Sequence, residues 1–248
     1  MQNNAISLVN ENGQFKSRED FLNEMNELYT TLAESEVEYN ELSPLFSACT
    51  KLENQIDTDS ALRTFNFINK AIMIKDEITE DTSKLVIDQI RFWNAIDVED
   101  ENPDPIIVYI DSPGGSLNAT LSIIAAIQIS KTPVYTVNLG KAWSGGFFLL
   151  IAGVKRFALP YSSYLFHEGS SALGGDAHKV LQEADFYKYQ LGLLKDITLD
   201  NTNIGETLYE KHRKDDWWFG NEIALKYNII DGVMNDFLNF DSIIKEDN

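Results

Sequence analysis

Residues 140–148 read Gly140-Lys141-Ala142-Trp143-Ser144-Gly145-Gly146-Phe147-Phe148. A β-branched run, VYTV at 134–137, precedes them, and an apolar run, FFLLI at 147–151, follows. The pattern predicts a strand, a tight turn and a helix, with Ser144 at the turn. A serine so placed is lifted clear of the sheet, and the backbone N–H after it faces a reacting group. As a nucleophile it needs a base, an orienting acid and a second oxyanion donor from elsewhere in the chain. The competing reading is a glycine-rich turn whose serine caps a buried helix, and the stretch alone leaves both open.

Working outward, the flanking chain alternates between strand and helix patterns. Ile72-Met73-Ile74 predicts a short buried strand. A helix start at Glu80-Asp81-Thr82-Ser83 leads into Leu85, Val86, Ile90 and Trp93. Residues 97–105 form an acidic, proline-containing loop, and IIVYI at 106–110 is continuous enough in apolar character to be a strand buried on both faces. The turn Asp111-Ser112-Pro113-Gly114-Gly115-Ser116 opens a helix carrying Leu117, Leu121, Ile124 and Ile127. After the Ser144 turn come strands at 156–159 and 164–167, a glycine-rich stretch at 169–175, and a long helix opened by Asp176. Val180, Ala184, Tyr187, Leu191 and Leu194 step along that helix by four and three, a seam for the core or for a second copy. Residues 208–214 predict a helix, Trp217-Trp218-Phe219 follows, and a helix at 221–227 and a strand at 229–233 close the pattern. Such βαβ alternation implies a parallel sheet with right-handed crossovers. Ligands of such sheets lie beyond the carboxyl ends of the strands. Both glycine turns fall there.

N-terminal to this lies a different pattern. Residues 1–16 are polar and aperiodic, as expected of a loose terminus. A helix start at Ser17-Arg18-Glu19-Asp20 is followed by Phe21, Met25, Leu28 and Leu32 at helical spacing. A boundary is expected near Asp59.

Composition excludes several classes. A net charge of −19 argues against nucleic acid and weakens contact with an anionic membrane. The longest apolar run, around 147–154, is too short to span a bilayer, and no basic segment leads into an apolar stretch at the N-terminus. A cytoplasmic protein without a membrane partner is expected. Cys49 is the single cysteine, which leaves no intrachain disulfide and no cysteine-based zinc site. With three histidines, His167, His178 and His212, any catalytic imidazole is one of three. His178 and His212 read as solvent-facing.

Four segments together resemble one family. IIVYIDSPGGS at 106–116, GKAWSGG at 140–146, RFALPYSSYLFH at 156–167 and EIALKYNIID at 222–231 resemble ClpP, the serine peptidase of the Clp protease system, in order and spacing. The resemblance covers about 65–236. It implies an α/β fold of the ClpP/crotonase type, built from repeated β-α-β units with a protruding long handle helix, here with an N-terminal helical extension. The expected domains are 1–62, the extension, and 63–248, the peptidase. Ser144 matches the nucleophile, His167 the general base, and Gly115 and Gly145 the oxyanion donors. Asp215 fits the acid's place before an aromatic residue, with Asp216 its adjacent competitor. The implied activity is endopeptidase cleavage of peptides or unfolded proteins through an acyl-enzyme. It is set inside a homo-oligomeric ring chamber, heptameric or a stacked double ring, with a Clp-type ATPase unfoldase as partner and no metal or cofactor.

Alternatives remain open. Gly145 stands where the family usually has methionine, and SGGFF is similar to signal peptide peptidases, which use a Ser–Lys dyad; Lys141 is the nearby lysine. An acidic, N-terminally extended chain also suits a phage capsid-maturation protease. A non-proteolytic assembly subunit and a crotonase-type acyl-CoA enzyme complete the set.

Overall fold

The computed structural model describes residues 66–67, 69–169 and 174–235. All belong to the second of two units of the chain, Leu62–Asn248. The expected N-terminal helix, the boundary near Asp59 and most of the 169–175 stretch lie outside the described residues.

The described residues form seven strands and six α-helices. In chain order they are β1 (Ala71–Ile78), α1 (Glu80–Ile96), β2 (Ile106–Gly115), α2 (Leu117–Ile129), β3 (Val134–Trp143), α3 (Gly145–Ile151), β4 (Lys155–Ala158), β5 (Ser163–Phe166), α4 (Ala177–Asn201), α5 (Glu206–His212), β6 (Trp217–Gly220), α6 (Asn221–Lys226) and β7 (Gly232–Val233). The main sheet runs β1-β2-β3-β4-β7 with every pair parallel. This is the mixed α/β ClpP-type fold that the resemblance implies.

Three features differ from the expected pattern. β2 and β3 run past the predicted strand ends into both glycine turns, because Glu77 and Ile78 pair with Gly114 and Gly115 and Ser112 pairs with Ala142. Trp217-Trp218-Phe219, given no element by the sequence, forms β6. Its pairing with β5 is antiparallel, in a sheet otherwise parallel. β5 leaves the main path by pairing with the far end of β3, Lys141–Trp143.

Burial explains why the elements sit as they do. Ile106, Val108, Ile110, Val134, Val137 and all of α3 are buried, so the central strands are covered on both faces. Thr79 caps α1 reciprocally with Thr82, and Glu80 and Asp81 place negative charge at its amino end. α4 is different: Leu194 and Thr198 are buried in its second half, whereas Leu181, Phe186 and Tyr189 are exposed in its first.

Candidate active site

Ser144 sits between the end of β3 and the start of α3 with φ +52° and ψ −117°. A non-glycine residue in such a region costs on the order of 1–3 kcal/mol and persists only where its surroundings fix it. Here they do. The Ser144 N–H donates to Leu165 O at 2.9 Å, its carbonyl accepts from Phe147 N–H at 3.0 Å, and α3 behind it is wholly buried. The Ser144 side chain makes no capping hydrogen bond to α3. Ser144 thus occupies the N-cap position of α3 without a side-chain cap bond, and it lines the cavity described below.

The two glycine turns pack against each other. A Cβ on Gly114, at φ +99°, would lie 2.8 Å from both Gly145 N and Ser144 Cβ. One on Gly115 would lie 2.2 Å from Ile78 O. Only glycine permits this approach of β2 to the head of α3. Ser112 Oγ accepts from Gly114 N–H at 3.1 Å and donates to Asp76 O, which ties the turn to β1.

His167 follows β5 directly, two residues after the Leu165 carbonyl that holds Ser144. Its Nδ1 lies 3.1 Å from Asp216 Oδ1. The antiparallel register explains the partner. Ser163 faces Gly220 and Phe166 faces Trp217, so the next step of the ladder brings His167 to Asp216. Asp215, the expected acid, is not the residue that meets His167. Its charge is felt instead at His212. That histidine is not simply solvent-facing: it is half-buried and stacks on Trp217 with centroids 4.3 Å apart. Burial, with Lys211 nearby, holds its pKa below the ordinary value against the pull of Asp215. His178 is exposed, as expected.

Ser144, Gly145, Gly115 and His167 line one cavity of about 510 Å³. Leu117, Phe148 and Leu194 give it an apolar part. Polarity comes from Asn118 and Gln190, joined by a 2.6 Å hydrogen bond from Gln190 Nε2 to Asn118 Oδ1. Nothing local in the sequence marks this pair, whose members stand 72 residues apart in the chain. Glu168 and Glu183 are carboxylates on the wall, and no lysine lines it among the described residues. Lys141 lies within β3, paired in register with Ser163. Among the described residues no group of three or more His, Cys, Asp or Glu is placed to hold a metal ion.

A strained serine on a strand-to-helix turn, sharing a cavity with a histidine and two glycine segments on this α/β sheet, marks the class of serine-type hydrolases. Comparison with known proteins narrows it. Residues 56–237 match the family described as Clp protease. The chain is 31% identical over 168 residues to the ATP-dependent Clp protease proteolytic subunit 1 of Frankia casuarinae, covering 67% of this chain and 77% of that one. It is 32% identical to proteolytic subunit 2 of Cutibacterium acnes, over 66% and 77% of the two chains. With proteolytic subunit 2 of Treponema denticola it shares 27% identity over 73% and 90%. The chain belongs to the Clp protease family and is a serine-type peptidase.

Proposed function

We propose that this chain is an endopeptidase that cleaves peptide or unfolded protein substrates through an acyl-enzyme. Ser144 is the nucleophile, His167 the base and Asp216 the orienting acid. The observation that carries this reading is the contact of His167 Nδ1 with Asp216, at the wall of the cavity that holds the strained Ser144. Engaging Nδ1 with the carboxylate leaves Nε2 as the nitrogen that takes the serine proton and returns it to the leaving amine. Asp216 fixes that tautomer and stabilises the imidazolium. Gly115 and Gly145 N–H groups receive the oxyanion, each such donor being worth about 3 kcal/mol in the transition state. The absence of a lysine from the described cavity wall counts against the Ser–Lys alternative.

The proposal extends to organisation. Residues 63–248 are the peptidase and 1–62 an extension. Subunits assemble as rings, heptameric or doubly stacked, with α4 at the contact, and a Clp-type ATPase feeds them in the cytoplasm. The supports are the family membership and the apolar side chains exposed on α4. No helix among the described residues is long and apolar enough to cross a membrane.

The test is a fluorophosphonate label on the purified chain. Ser144→Ala is expected to abolish labelling and peptide hydrolysis together. Labelling that persists in that variant overturns the nucleophile.

A further inference from the structure

The His167–Asp216 contact raises a question of support. The Asp216 side chain is 59% exposed. Neither burial nor an ion pair in water fixes a carboxylate well, since exposed pairs contribute little and their side chains remain free to rotate. Its position must come from the backbone that carries it.

That backbone is fastened three residues upstream. Glu168, next to His167, has an 11% exposed carboxylate. Its Oε1 accepts from the Tyr209 hydroxyl at 3.0 Å and its Oε2 from Arg213 Nη1 at 3.0 Å. A main-chain bond doubles the tie: the Glu168 N–H donates to Arg213 O at 3.1 Å. Arg213 is ion-paired in turn to Glu210, its Nε 2.6 Å from Oε2 without hydrogen-bond geometry, and its own N–H donates to Tyr209 O at 2.8 Å. Tyr209 is fully buried, and burial together with the Glu168 charge keeps its phenol protonated as a donor. The residue after the base is thus locked to the stretch that delivers the acid, across 45 positions of sequence.

We propose that Glu168, Arg213 and Tyr209 form a clamp that positions Asp216 against His167. The clamp rests on the Ser144–His167–Asp216 reading and deepens it. Arg213 and Tyr209 are positioning residues: they do not line the cavity and act through the two segments they join, while Glu168 stands on the cavity wall as well.

A double-mutant cycle on the full chain tests this, read by kcat and KM on a peptide and by the rate of fluorophosphonate inactivation. Arg213→Met is expected to lower kcat and the inactivation rate about tenfold with KM nearly unchanged, because the loss falls on the transition state. Arg213→Lys, which keeps the charge opposite Glu168, restores most of the rate. Asp216→Asn is expected to cost several-fold less in the Arg213→Met background than alone, as for residues acting as one unit. Equal Asp216→Asn penalties in both backgrounds, in protein with wild-type circular dichroism, overturn the clamp and leave the triad standing. An Asp216→Asn variant with wild-type activity overturns the triad acid, and the clamp with it. Tyr209→Phe, which removes one hydroxyl and leaves both charges, runs the same cycle if Arg213→Met does not fold; additive penalties there also overturn the proposal.

Discussion

Asp215 and Asp216 carry the same side chain one position apart in the chain. Asp216 meets His167, whereas Asp215 acts on His212. If Asp216 is the proposed acid, Asp216→Asn is expected to lower kcat by roughly 10⁴, the loss that follows when a triad aspartate is neutralised, and Asp215→Asn to stay within about twofold. Steady-state kinetics on the two variants checks the order. Ser144 offers a second test. Alanine and glycine both remove the hydroxyl of the proposed nucleophile, but only glycine adopts φ +52° without strain. Ser144→Gly should therefore be more stable than Ser144→Ala by about 1–2 kcal/mol in denaturant titration. His212 gives a pH dependence. Its folded pKa is depressed, so the unfolded chain binds the proton more readily. The stability it contributes is full above its unfolded pKa and is lost as pH falls through the folded one. His212→Gln is expected to flatten the fall of Tm below neutrality, as thermal melts across a pH series will show.

At the level of elements, β6 decides the site, and the sequence did not mark it as a strand. Trp217-Trp218-Phe219 lacks the apolar–polar alternation of a half-buried strand, so three aromatic residues in a row read only as packing. They do pack: Trp217 meets Phe166, Phe219 and Tyr227, Phe219 stacks on Tyr164 at 5.2 Å, and Trp218 meets Trp143 edge-on at 4.9 Å. But the same rings hold the ladder that aligns Asp216. Trp217→Ala should cost about 2–3 kcal/mol, less than a fully buried aromatic, and should lower kcat in the protein that still folds. The strands and helices of the β-α-β repeats were legible because each carries its own periodicity. What failed was their extent: β2 and β3 continue through the glycine turns, where pairing with neighbours overrides local preference.

For the whole molecule, the described fold leaves Leu181 and Tyr189 exposed on α4. Large apolar side chains left in water on one helix are candidates for a contact surface. Leu181→Glu with Tyr189→Glu is expected to reduce the assembled mass in light scattering while circular dichroism stays unchanged. An unaltered mass removes α4 from the proposed contact. The sequence by itself determined the family, the parallel α/β class, the serine on its turn, the histidine and both glycine segments. Each of these is written in contiguous residues: periodicity carries the parallel α/β class, and the resemblance of four segments carries the family and the candidate site positions. Only the tertiary structure decided which aspartate meets His167, that Asn118 and Gln190 join on the cavity wall, and how Glu168 is tied to the segment bearing Asp216. Those outcomes depend on the register of β5 against β6 and on contacts between residues far apart in the chain. Neighbouring residues in extended chain face opposite ways, so a shift of one position exchanges Asp215 for Asp216, and nothing local to either residue records which register the packed core selects.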